Sequence, residues 1–224
     1  MFKHKLLILL LTFALLIASC AGPAQPTAAP PAAETEAPPP SQTEAPPAGP
    51  KVATILWTQE FDTLNPLYSS MWFSIVTQQF WLAWAWEFDQ ENEAFPKLVT
   101  EIPSEENGGL SPDGKIITMH LRDDIRWSDG QPITAEDFIF TYEMAIDPKN
   151  TVSSSYPYDN ITSVTAPDER TVVITFEEPF APWLATLWHG ILPAHILRPV
   201  YEAEGTIDNA PWNLAPTVGA GPYV

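Results

Sequence analysis

Three kinds of side chain in this sequence could do chemistry: carboxylates, histidines and one cysteine. Asp123, Asp124, Asp129, Glu136, Asp137, Glu177 and Glu178 stand out among 28 acidic residues set against 10 basic ones. General acid–base catalysis needs two carboxyl groups held at a defined separation in a cleft. Acidic residues this abundant read as a solvated surface instead, with individual side chains in turns, caps and ion pairs. The histidines are His4, His120, His189 and His195. His189 and His195 miss the i, i+4 spacing of a helical metal pair, and Pro193 interrupts them. They read as capping or packing residues, and no metal or cofactor is implied. Patterns such as Gly-x-Ser-x-Gly, His-Glu-x-x-His, Cys-x-x-Cys and the P-loop do not occur. Cys20 is the single cysteine, so an intramolecular disulfide is impossible. No catalytic motif is announced, and a carboxylate pair in a cleft is left open by the sequence.

The net charge of -18 bounds the partners. Nucleic acid needs basic patches and is excluded; adhesion of such a surface to anionic lipid is disfavoured. Residues 1–19 read as a secretory signal: Lys3 and Lys5 form a basic start, and Leu6 to Ile17 form an apolar run too short to span a bilayer. Ile17-Ala18-Ser19-Cys20 resembles a bacterial lipobox, which makes Cys20 a candidate for lipid attachment. Such an anchor tethers without spanning. It places the chain at the outer face of the cytoplasmic membrane or in the periplasm. Residues 20–50 are dominated by Pro and Ala and lack the apolar side chains that offset ordering entropy, so they read as a disordered linker.

The elements that must position a binding site follow from residue 51. Lys51 to Trp57 is a strand candidate, and Thr63-Leu64-Asn65-Pro66 a turn. Trp72, Ile75, Val76, Gln79 and Phe80 predict a helix over about Ser70 to Leu82. An aromatic stripe of this kind packs in a core more often than it faces a ligand. Ser111 to Gly114 predicts a turn between two strands, the second being Lys115 to Leu121; Ser128-Asp129-Gly130 is a further tight turn. Thr134 is a good N-cap, with Asp137 three residues on. Phe138, Ile139, Tyr142, Ala145 and Ile146 then give one apolar helical face, ended by Asp147-Pro148. Ile161 to Thr165 and Thr171 to Phe176 predict a hairpin with Val172, Ile174 and Phe176 on one side. The mixture is α+β.

Several of these segments together resemble the extracellular solute-binding proteins of family 5, the receptors of ABC importers for peptides, oligosaccharides and nickel. The matching segments are Arg122-Asp123-Asp124, Trp127-Ser128-Asp129-Gly130 and Thr134-Ala135-Glu136-Asp137, in that order between a strand and a helix. Thr63-Leu64-Asn65-Pro66 matches with Asn65 in place of the usual Asp; Ile191-Leu192-Pro193-Ala194-His195 matches with Ala194 where Lys is common. Val218-Gly219-Ala220-Gly221-Pro222-Tyr223 matches with Ala220 replacing Thr. The resemblance covers most of residues 51–224.

The resemblance implies the N-terminal part of a two-lobed periplasmic-binding-protein-like fold: residues 51–87 open the first lobe, 88–188 form a smaller α+β subdomain, and 189–224 return to the first lobe. It implies that Tyr68, Ser69, Ser70, Met71 and Trp72 border the ligand cleft. Rings there could stack on a solute, and the hydroxyls could bond its polar edges. The implied function is delivery of a small solute, oligopeptide foremost, to the permease subunits of an ABC importer. The alternative is a surface protein that binds or hydrolyses glycans through aromatic subsites. The chain is expected to be a fragment of a longer reading frame, since the matched motifs belong to the opening part of such receptors.

Overall fold

The computed structural model describes Val52 and residues 54–223. The proposed signal sequence, Cys20 and the Pro/Ala-rich linker lie outside the described residues. From Thr54 onward the elements are helix α1 (Trp72–Trp81), strands β1 (Trp86–Phe88), β2 (Ala94–Pro96) and β3 (Ile116–His120), and helix α2 (Ala135–Ile146). They continue with strands β4 (Ile161–Asp168) and β5 (Thr171–Phe176), then helices α3 (Trp183–Thr186) and α4 (Ala194–Glu204). Short 3-10 turns occupy Tyr158–Asn160 and Pro211–Asn213.

The predicted hairpin supplies two strands of a three-stranded antiparallel sheet in the order β3-β5-β4, with β5 central. Alternation sends Ile117 and Met119 of β3, and Val172, Ile174 and Phe176 of β5, into the core. Helix α2 covers that face with Phe138, Met144 and Ala145. Its start is built as the residue types require: the Asp137 carboxylate accepts the Thr134 N–H at 2.9 Å. The β4–β5 turn docks on the same helix end. Glu169 O accepts the Ala135 N–H at 3.0 Å, and the Arg170 guanidinium donates to the carbonyls of Ile133 and Arg122 at 2.8 and 2.9 Å.

The buried face of α2 differs from the periodic reading. Ile146 is 41% exposed, while the polar Asp137 and Thr141 are buried. The cause is a second layer. The Ala194 N–H donates to Asp137 Oδ1 at 2.9 Å, and the Leu192 N–H donates to Thr141 Oγ1 at 2.8 Å. A helix covered on two sides buries polar groups wherever a neighbouring backbone brings donors.

Three further expectations change. Thr54 to Trp57 join no strand among the described residues; Lys51 and Ala53 of that predicted strand are not described. An extended segment without a partner ladder is not a strand. The turn at Ser111–Gly114 has β3 after it but only an isolated bridge, Leu110 with Ile117, before it. The hairpin β1–β2 was not foreseen. Its turn is organised by Asp89, whose carboxylate accepts the N–H groups of Glu91 and Glu93 at 3.0 and 2.8 Å. Helix α1 starts two residues later and ends one residue sooner than its apolar spacing suggests.

The segment after α4 returns to α1. The N–H groups of Ala220 and Gly221 both donate to Trp81 O at 2.8 Å, taking up a carbonyl at the helix C-terminus. A Cβ on Gly219 would stand 2.4 Å from Trp81 O, so only glycine allows this approach. Gly219 also exchanges bonds with Ser128: its carbonyl accepts the Ser128 N–H at 2.8 Å and its N–H donates to Ser128 Oγ at 3.1 Å. The Trp127–Gly130 turn is thereby joined to the Gly-Ala-Gly-Pro-Tyr segment.

Candidate functional site

Two cavities warrant comparison. One, of about 390 Å³, lies along α2 and α4 between residues such as Glu136, His195 and Arg198. Its charged groups pair with each other and with near neighbours: Arg198 reaches Glu136 and Glu143, and His195 Nε2 lies 2.8 Å from Asp129. The other, of about 240 Å³, opens beneath the loop that precedes α1. It is lined by that loop, α1, the Ser153–Tyr158 segment and His189–Gly190. Arg198 Nε on the first cavity is unpartnered, but the second has three lining residues with an unpartnered nitrogen and no carboxylate or cationic Lys or Arg among its described lining, and it is the better candidate site.

The loop over it is fastened from below. Asn65 is fully buried; its Nδ2 donates to Asn213 Oδ1 at 2.8 Å and its Oδ1 accepts the Leu67 N–H at 2.9 Å. Asn213 Nδ2 donates in turn to the carbonyls of Ile207 and Asp208 at 2.8 and 3.0 Å. An aspartate at position 65 could not donate to Asn213, which accounts for asparagine here. Leu67 O accepts from the N–H and hydroxyl of Ser153 at 2.9 and 3.1 Å, so two walls of the cavity are joined.

The five residues singled out from sequence take different places. Ser69 and Ser70 line the cavity. Ser69 Oγ donates to Asp62 Oδ1 at 2.7 Å and accepts the Met71 N–H at 3.0 Å, which shapes the entry to α1. Tyr68 does not line the cavity; its ring packs partly against the core and its hydroxyl donates to Asp208 Oδ1 at 2.6 Å. Met71 is the N-cap of α1. Trp72 is 63% exposed and meets Trp57 edge-to-face at 5.7 Å, away from the cavity lining. Of the five, Ser69 and Ser70 line this cavity while Tyr68, Met71 and Trp72 take other places, because helix entry turns successive side chains apart.

Gln78 and Trp84 also line the cavity, as does His189, which the sequence reads as a capping or packing residue. The His189 ring stacks on Trp84 with centroids 4.4 Å apart and planes 17° from parallel. Burial pushes the imidazole pKa down, so it is neutral at neutral pH. Its backbone position is set on both sides. Trp188, at φ 58°, holds a left-handed conformation that few non-glycine residues adopt, and its buried ring meets Phe138 and Tyr158 edge-on at 5.2 and 5.3 Å. Gly190 follows at φ 98°. No local pattern announces these residues, since 105 positions separate Trp84 from His189 (189 − 84).

Residues 81–224 match the family described as bacterial extracellular solute-binding proteins, family 5 Middle. The chain belongs to this family. It is 32% identical over 136 residues to Protein XP55 of Streptomyces lividans, covering 61% of this chain and 23% of that protein. It is 36% identical over 115 residues to a probable D,D-dipeptide-binding periplasmic protein, DdpA, of Escherichia coli, covering 51% and 22%. Among solved structures, NikZ from Campylobacter jejuni in complex with Ni(L-His) superposes with a TM-score of 0.62 at 28% identity, covering 73% of this chain and 30% of that one. An oligopeptide-binding protein from Thermus thermophilus complexed with a pentapeptide gives 0.55 at 28% identity, covering 61% and 24%. The chain thus spans about a quarter of the curated relatives it matches, and its mixed α/β architecture is part of the two-lobed fold of periplasmic binding proteins.

The tether beneath the loop generates a pH prediction. Burial acts to raise the Asp208 pKa, but hydrogen bonds from the Thr151 hydroxyl, the Tyr68 hydroxyl and the Thr151 N–H outweigh it and hold the pKa at about 2. A carboxyl depressed below its unfolded value of about 3.9 stabilises the fold above that value. The stabilisation is lost as pH falls toward about 2. Urea unfolding of wild type and Asp208→Asn at a series of pH values should show a wild-type advantage that is constant above pH about 5 and shrinks between about 4 and 2. A difference independent of pH would show that the carboxylate charge is not what Tyr68 and Thr151 hold.

Proposed function

We propose that the chain serves a lipid-anchored extracytoplasmic receptor that captures a small solute, an oligopeptide foremost, and presents it to the permease subunits of an ABC importer. Family membership and the cavity under the Pro66–Ser70 loop support this reading together. The observation that carries it is the cavity itself: a recess whose lining includes unpartnered polar groups, beneath the loop that the resemblance implies would border the cleft. Peptide ligands are favoured by the dipeptide and pentapeptide named for two relatives. Binding would be reversible, with closure of a second lobe over the solute and recognition of the closed form by the permease. No bond is made or broken, and no cofactor is required.

Residues 51–87 and 189–224 would be two passes of one lobe, a division supported by the bonds from Leu64 N–H to Asn213 O at 2.8 Å and from Ala220 N–H to Trp81 O at 2.8 Å. Residues 88–188 would form the smaller subdomain. Ser69 and Ser70 would meet the solute directly. Tyr68 and Met71 would hold the loop that carries them, and Trp72 would stand beside the cleft. A second reading, glycan recognition, draws on the exposed Trp72 beside Trp57, since indole faces stack on sugar rings.

Calorimetric titration with mixed-sequence tri- to pentapeptides and with oligosaccharides should give saturable peptide binding, with no product by mass spectrometry. His189→Ala should weaken that binding at least about tenfold, equivalent to about 1.4 kcal/mol. Oligosaccharide cleavage that disappears with a carboxylate substitution would overturn the receptor reading. For the anchor, Cys20→Ser should abolish incorporation of radiolabelled fatty acid in a bacterial host; undiminished incorporation would exclude Cys20 as the attachment site.

A further inference from the structure

The cavity beneath the Pro66–Ser70 loop has an unusual lining for this chain. Acidic and basic residues number 28 and 10, yet among the described residues no Asp, Glu, Lys or Arg lines it. Three lining residues carry an enclosed nitrogen without a hydrogen-bond partner: Gln78 Nε2, Trp84 Nε1 and His189 Nε2. Gln78 is 3% exposed, so bulk water does not serve it. Folded proteins leave few buried polar groups unpartnered, and such groups call for an explanation.

Of the three, the indole is one-sided and the other two adapt to it. An indole N–H only donates. A carboxamide turns its NH2 or its oxygen toward a partner by rotation about one bond, and imidazole Nε2 donates in one tautomer. A charged group entering this recess would lose its water and meet no counter-charge on the wall. An uncharged group bearing a lone pair would lose less and would gain these donors once a small side-chain rotation turns the enclosed nitrogens to the cavity. Nearby, the hydroxyls of Ser69 and Ser153 already donate, to Asp62 and to Leu67 O, so they do not compete as the free donors.

We infer that this wall receives an uncharged, acceptor-bearing segment of the solute, an amide carbonyl or a sugar oxygen, and that Gln78, Trp84 and His189 set that preference. The inference rests on the reading of the cavity as part of the solute site. Charged ends of a solute would then be held elsewhere, and this wall would discriminate by polarity and shape.

The test is a nuclear magnetic resonance titration of the whole ¹⁵N-labelled chain with four small probes. N-acetyl-alanine N-methylamide and methyl glucoside are neutral acceptors; acetate and methylammonium are the anion and the cation. The Trp84 indole N–H peak is assigned with Trp84→Phe, and the Gln78 carboxamide pair with Gln78→Met. At least one neutral probe should move both sets of peaks saturably, at concentrations at least about tenfold lower than either ion requires. The amide alone doing so identifies a carbonyl as the partner; the glucoside alone identifies a sugar oxygen. Gln78→Met should weaken the response of the Trp84 peak to the effective neutral probe, with the dispersion of the remaining peaks reporting that the variant is folded. If an ion moves the peaks as readily as the neutral probes, the preference is wrong while the cavity remains a binding site. If no probe moves them, the cavity reading and the inference fall together. The wild-type probe series decides even if the variant does not fold.

Discussion

The His189 wall of the candidate site depends on one buried carboxylate, that of Asp137. One oxygen closes the start of α2 through the Thr134 N–H; the other accepts the Ala194 N–H from a segment 57 residues away. One turn along, Thr141 Oγ1 accepts the Leu192 N–H and donates to Asp137 O at 2.7 Å. Burial pushes the Asp137 pKa up, and the two backbone donors oppose that shift. A carboxylate placed so deep is tolerable only because donors meet it. The consequence is positional. Leu192 and Ala194 are fixed against α2, so the chain just before them, Trp188 to Gly190, is held in its left-handed turn, and His189 is delivered to Trp84.

The same stretch of chain fastens a second partner. From Trp127 to Asp137 it meets the end of the described chain through Ser128 and Gly219, α4 through Asp129 and His195, and the hairpin turn through Ile133 and Arg170. These contacts are mostly bonds to backbone groups, which specify position more strictly than exposed ion pairs do. The Arg122–Asp124 pair, by contrast, lies at the surface and contributes little. The sheet supplies the apolar base and the Trp127–Asp137 stretch supplies the registration. The cavity forms where the registered return segment passes under the Asn65-anchored loop.

Much of the scaffold was legible before any coordinates. Thr134 with Asp137 announced the start of α2, and alternation of Val172, Ile174 and Phe176 announced the buried side of the hairpin. These signals are local, set by backbone geometry over a few residues. The hairpin β1–β2 was not legible, because its strands are three residues long and one contains Pro96. The burial of Asp137 and Thr141 was also hidden, since periodicity records apolar faces and says nothing of donors arriving from distant backbone. For the same reason, of the lining of the candidate cavity only Ser69 and Ser70 were singled out from sequence. Gln78, Trp84 and His189 come together through tertiary packing, and none carries a neighbouring pattern that marks it. Asn65, which reads in sequence as a departure from the family pattern, is explained in the structure by its bond to Asn213.

The most direct measurement is amide hydrogen exchange at Leu192 and Ala194, in wild type and in Asp137→Asn. If the clamp registers the return segment, both amides should exchange only by global unfolding in wild type, although Leu192 lies outside regular secondary structure and Ala194 begins a helix. Asp137→Asn should release Ala194 first and carry His189 and Gly190 with it, leaving the β3–β5 amides protected. Fast exchange of Leu192 and Ala194 in the wild type, or an Asp137→Asn variant with unchanged protection from 189 to 194, would contradict the account.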